Sequence, residues 1–215
     1  MGPSACGKTT LLSLLAGLQT PDAGEICGLS GKSISYVFQE PRLLDWLTAE
    51  ENIALVLEDL FPPAEVCRRV EEQLEGMGLL AYRRFYPRRL SGGQRQRVAI
   101  ARALAYPSRL LLMDEPFKSL DLGLKLDLIA RFLASWQAAP RTVVCVTHEV
   151  KEALLLADKV VVLTRKPAVV KAVYPVPVPR EERRADTLAL LALEREITAA
   201  LLREEEREEP SPLPA

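Results

Sequence analysis

Apolar and polar positions follow two different rhythms along this chain, and the change of rhythm divides it. After a glycine-containing opening, Lys8, Thr9 and Thr10 lead into leucines at 11, 12, 14 and 15. That spacing predicts a helix from residue 8 that stops near Gly17, and it puts a glycine loop at a helix N-terminus. Residues 33–38 are short and β-rich, whereas 48–60 and 64–80 carry helical spacing interrupted by Phe61-Pro62-Pro63. The second quarter of the chain is therefore expected to be a helical lobe. From residue 90 the order becomes a glycine turn, a helix over 94–105, an apolar strand over 110–113 and a helix over 122–136. A strand over 142–146, a helix over 150–157 and a strand over 159–163 follow. Short apolar strands alternating with helices predict an α/β fold with a mainly parallel sheet covered on both faces.

Beyond residue 165 the pattern weakens. Residues 168–178 can add one or two strands, but prolines at 167, 175, 177 and 179 remove ladder donors and restrict them to an edge. Residues 183–202 have leucines at helical spacing, 203–209 turn acidic, and 210–215 read as a disordered end. The expected organisation is one domain over 1–180, with a core from 1–39 and 91–165, a helical subdomain over about 40–90 and edge strands at about 168–178. A C-terminal helix and a disordered acidic, proline-containing tail take up 181–215. That helix reads either as a surface helix packed on the core or as a regulatory, dimer-supporting one.

Composition narrows the class. Among 215 residues, 28 basic ones are balanced by 29 acidic ones, and nearly half are apolar, so an ordinary folded protein is expected and charge implies no nucleic-acid partner. Cys6, Cys27, Cys67 and Cys145 are scattered without C-x-x-C pairing, which suits a reducing compartment and disfavours a zinc site. The longest apolar runs fall far short of the roughly 20 residues that cross a bilayer. Gly2-Pro3-Ser4 follows Met1 without a basic start or an apolar stretch. A cytoplasmic location is expected.

The candidate chemistry sits in the turns. Gly2-Pro3-Ser4-Ala5-Cys6-Gly7-Lys8-Thr9 fits G-x-x-x-x-G-K-[ST], where glycines let backbone amides wrap a phosphate at the positive end of a helix. Lys8 is expected on the β- and γ-phosphates of ATP, the Thr9 hydroxyl on Mg²⁺ and Thr10 on the α-phosphate. Cys6 reads as a small filler. Asp114 and Glu115 end an apolar strand, at the side of a parallel sheet where ligands bind. Asp114 is the candidate to hold Mg²⁺ through water, and Glu115 the candidate to orient and deprotonate the attacking water. His148, the one histidine, follows another strand and could meet the γ-phosphate and that water, as could Gln39, which could also touch Mg²⁺. Leu90-Ser91-Gly92-Gly93-Gln94 opens a further helix and offers a second anion site, or simply a helix capped by Ser91. Two phosphate sites on one chain suggest a head-to-tail dimer with ATP between two copies.

Taken together, the glycine loop, Gln39, 90–94, Asp114-Glu115, Ser119-Leu120-Asp121 and His148 occur in the order and approximate spacing of the ABC ATPase family, and the chain resembles it to about residue 165. The resemblance implies a P-loop NTPase fold with a recombinase-like core and an inserted helical subdomain. It also implies Ser91, Gly92, Gly93, Gln94 and Asp121 acting on the partner's nucleotide. The run 38–46 and Asp114-Glu115-Pro116-Phe117 are similar to the branch serving nitrate, sulfonate and taurine importers. On that resemblance the chain is an ATP-hydrolysing subunit working as a homodimer on the inner face of the membrane. It would drive integral-membrane permease subunits and, through them, a solute-binding protein. Leu43, Leu44 and Trp46 are either permease contacts or packing inside the helical lobe. A truncated or inactive cassette and a soluble non-transport ATPase are the alternatives. Ala5 and Lys118 stand where that branch carries glycine and a small residue. The stretch 19–33 is short, so a reduced β-subdomain is expected. The strands and the adenine-stacking aromatic that the family carries ahead of the loop do not precede Gly2, so the expected start is truncated or misplaced.

Overall fold

The computed structural model describes residues 1–29, 31–118, 120–184 and 187–205; Ser119 and the expected disordered end lie outside them. Two compact units form, one from Met1–Leu11 with Val146–Ala215 and one from Leu12–Cys145. Helix α1 (Lys8–Leu15) carries the chain from the first into the second.

The second unit is built on a sheet of order β1 (Ile34–Val37), β2 (Leu110–Asp114), β3 (Thr142–Val146). Strands β1 and β2 run parallel, with Ile34 opposite Leu110 and Val37 opposite Met113. Every residue of β2 is buried, which explains an uninterrupted apolar run in place of alternation: both faces of the strand are covered. Four helices belong to this unit: α2 (Ala49–Ala54), α3 (Pro63–Gly76), α4 (Gly92–Ala105) and α5 (Leu122–Ala138). In α3, Pro63 takes the first-turn position where its missing N–H costs nothing, and Val66, Val70 and Leu74 recur at four-residue intervals on the buried face.

Two helices depart from their expected bounds. The helix anticipated over 48–60 ends at Ala54. Thr48 and Glu51 form a capping box that fixes its start. Asn52, wholly buried, donates its amide to the carbonyls of Leu44, Leu47 and Thr48, which ties the helix to the loop before it. Isolated turns, with the Leu57 amide on Ala54 and the Phe61 amide on Leu57, then lead into the two prolines. Conversely, α4 begins two residues before the expected Gln94, at Gly92. A reciprocal cap between Ser91 and Gln94 outweighs the poor helix propensity of Gly92 and Gly93.

In the first unit, β4 (Lys159–Leu163) pairs antiparallel with β5 (Val170–Pro175), Val161 opposite Val173. The opposite edge of β4 receives the main chain of Met1: its amino group donates to the Val161 carbonyl at 2.7 Å, and the Leu163 amide donates to the Met1 carbonyl at 2.9 Å. Helix α6 (Val150–Leu156) and helix α7 (Leu188–Glu205) complete a core of Ala153, Leu154, Val160, Val162, Leu190 and Ile197. The C-terminal helix is thus a packed one. It starts later than residue 183, because Arg183 is used as a cap, donating to the carbonyls of Leu154 at 3.2 Å and Ala157 at 2.8 Å at the end of α6. Its other end is held by Lys171, 2.7 Å from the buried carboxylate of Glu204. No helix among the described residues is long and apolar enough to cross a membrane.

Candidate functional site

The loop 2–7 takes a shape that few sequences tolerate. Gly2 and Gly7 lie at φ 159° and 104°, and Ala5 at 59°, in the left-handed region that costs an alanine about 1 kcal/mol. A β-carbon on Gly2 would stand 3.0 Å from the Cys6 sulfur and 3.2 Å from the Leu163 carbonyl, so only glycine lets the loop lie against β4. Cys6 is buried, in keeping with a filler. Lys8, the first residue of α1, folds back over the loop, donating to the carbonyls of Gly2 at 2.9 Å and Pro3 at 2.7 Å. These are neutral acceptors, weaker partners for an ammonium than a phosphate oxygen would be. Ser4, Thr9 and Thr10 are exposed and Pro3 is buried.

Gln39 and Asp114 stand at the same end of neighbouring strands. Val37 pairs with Met113, so the chain leaves β1 toward Gln39 beside the point where β2 delivers Asp114. Gln39 is exposed; Asp114 retains 4% of its surface. Burial, and after it the Asp114 charge, raises the pKa of the Tyr36 hydroxyl above its usual value. Glu115 follows at φ 46°, left-handed backbone that turns the chain sharply away from the strand. Its carboxylate meets the Lys118 ammonium at 2.6 Å. Phe117, wholly buried, packs edge-to-face on Phe132 of α5 with ring centroids 6.3 Å apart and anchors this turn.

The chain after Gln39 is braced from three sides. Arg42, at φ 44°, lies 3.9 Å over the Phe38 ring, which stacks on Tyr36 at 4.1 Å. Arg102 of α4 donates to the carbonyls of Pro41 at 3.1 Å and Arg42 at 3.0 Å, and its burial lowers its pKa. Arg42 lies in the run 38–46 but was given no role of its own there, and sequence reading passed over Arg102.

At the head of α4, Ser91 Oγ accepts from the Gln94 amide at 3.2 Å and Gln94 Oε1 accepts from the Ser91 amide at 2.8 Å. Gly92 has open space where a side chain would be, whereas a β-carbon on Gly93 would meet Leu120 at 3.2 Å. Asp121 caps α5, accepting from the Leu124 amide at 3.0 Å. His148 is exposed on the turn after β3, where the Thr147 hydroxyl accepts from the Glu149 amide at 3.1 Å. Within the second unit the fold brings Gln39 next to the Asp114-Glu115 turn; within the first, His148 and the glycine loop share one unit. Within the second unit, the Gln39 carbonyl and the Asp114 carboxylate are hard oxygen donors, whose chemistry fits Mg²⁺.

The sequence model of the ABC transporter family matches residues 1–118. The chain is 40% identical over 211 residues to the aliphatic sulfonates import ATP-binding protein SsuB 1 of Xanthomonas axonopodis pv. citri, covering 94% of this chain and 83% of that protein. It is 45% identical over 175 residues to the sulfate/thiosulfate import ATP-binding protein CysA of Gloeobacter violaceus, covering 77% of this chain but only 51% of that protein. Among solved structures it is similar to the dimeric post-hydrolysis state of the ATP-binding cassette MJ0796 bound to ADP and Pi. The TM-score is 0.72 at 30% identity, over 83% of this chain and 84% of that one.

Proposed function

This chain belongs to the ABC transporter family, and from that premise we propose that it is the ATP-binding and ATP-hydrolysing subunit of an importer, working as a head-to-tail dimer beneath separate permease subunits. The observation that carries the reading is the turn after β2, which presents the buried Asp114 and the sharply turned Glu115 together at the strand end, beside the exit of β1 toward Gln39.

In this reading Gly2, Pro3, Ser4, Ala5, Cys6 and Gly7 offer main-chain amides to the phosphates of ATP, and Lys8 exchanges its two carbonyl partners for β- and γ-phosphate oxygens. Thr10 reaches the α-phosphate. Thr9, Gln39 and Asp114 would hold Mg²⁺, which would supply positive charge against the phosphates. Glu115 orients the attacking water and takes its proton; Gln39 and His148 help to align water and γ-phosphate. Ser91, Gly92, Gly93, Gln94 and Asp121 act across the dimer. The dimeric MJ0796 cassette, described with ADP and Pi bound, supports that arrangement.

The helical subdomain over about 40–90 is the proposed face toward the permease. Trp46, 72% exposed, supports a contact role there, and Leu43 and Leu44, half-buried, supply its base. Sulfonate- or nitrate-type small solutes, delivered by a solute-binding protein, are the proposed cargo, supported by what the sulfonate relative is named for. The chain would then sit on the inner face of the cell membrane through its permeases.

Glu115→Gln tests the mechanism. Hydrolysis of Mg-ATP should fall by about a hundredfold or more while ATP binding persists. Turnover equal to the parent chain would remove Glu115 from the reaction.

A further inference from the structure

We propose that Lys118 is a positioning residue for hydrolysis, its ammonium fixing the Glu115 carboxylate in the orientation from which it addresses water; this rests on Glu115 being the base. The contact is short, 2.6 Å from Nζ to Oε2. Its geometry is imposed by the backbone. The Lys118 amide donates to the Glu115 carbonyl at 3.1 Å, closing one tight turn across Pro116 and Phe117. Both of those residues are buried, and Phe117 locks onto Phe132. The two charged side chains therefore leave a rigid turn at a separation the fold sets.

Glu115 needs such a restraint. A glutamate reaches its target through three rotatable bonds, and a base misplaced by about 1 Å can lose up to a hundredfold in rate. The ion pair at Oε2 narrows the range of orientations open to the carboxylate. The environment is suited to a directed contact: the Glu115 side chain is 15% exposed, while that of Lys118 is 43% exposed. The lysine can thus be replaced without opening the core.

The test is steady-state Mg-ATP hydrolysis by the full chain and by Lys118→Ala, Lys118→Arg and Glu115→Gln. Lys118→Ala should lower kcat about tenfold with KM for ATP within about twofold, and Lys118→Arg should recover most of the loss. A kcat unchanged in Lys118→Ala, a KM that rises as far as kcat falls, or an arginine variant as slow as the alanine one would each overturn the proposal. Glu115→Gln separates the two levels. If it is inactive while Lys118→Ala matches the parent, only the positioning role fails; if it turns over normally, the base assignment fails and takes the positioning role with it.

Discussion

The two glycine-bearing helix starts look alike in sequence and differ in how they treat their own amides. At α1 the chain arrives through a loop with φ values of 104° at Gly7 and 59° at Ala5, and Lys8 is turned back on two carbonyls of the same loop. At α4 the start is closed by its own side chains, Ser91 and Gln94 each accepting from the other's amide. The first is a strained loop closed by a cation with weak partners. The second is a stable helix cap that presents Gly92 and Gly93 at its tip. The difference suggests a division of labour: α1 captures nucleotide within one chain, and α4 meets nucleotide already held elsewhere, needing rigidity more than affinity.

Substitutions at each start can break that division. The largest effect is expected from Lys8→Ala, which removes the cation from the loop: ATP affinity should fall on the order of a hundredfold, measured by titration calorimetry. Retained affinity would dissolve the contrast. Ser91→Ala should leave single-chain ATP affinity unchanged, lower hydrolysis in the dimer and cost about 1 kcal/mol of folding stability from the lost cap, read by denaturant unfolding. A fall in single-chain affinity would show that both starts serve the same nucleotide. The smallest effect belongs to Ala5→Gly, where relief of the left-handed alanine is partly offset by the freer unfolded chain. A net stabilisation of up to about 1 kcal/mol is expected with nucleotide affinity preserved. Destabilisation would mean that the strain at Ala5 is compensated by contacts glycine cannot make.

Sequence legibility followed the same line between local and non-local causes. Strands β3 and β4 fall where valine runs placed them, because β-branched residues favour a pleated, half-buried strand. The start of α4 was misread by two residues, since glycine propensity argued against a helix that only the Ser91–Gln94 exchange makes favourable. Helix α2 stops at Ala54, although the helical spacing of apolar residues runs on to Leu60. At the candidate site the motif residues were legible by spacing, but the backbone that aims them was not. Ala5, Arg42 and Glu115, three non-glycine residues at positive φ, stand in or beside these motifs, and nothing in their residue type announces it. Nor could periodicity show that Lys118 reaches back to Glu115.

The rung between Met1 and β4 joins residues 160 positions apart. Order of synthesis then matters. The glycine loop is made before Leu12–Cys145, yet the strand against which Gly2 packs emerges only after the whole of that unit. The intervening unit can collapse on contacts of its own, whereas the loop waits for a closure of high contact order. Nucleotide capture is therefore expected to appear late and all at once, making ATP binding a reporter of the completed first unit.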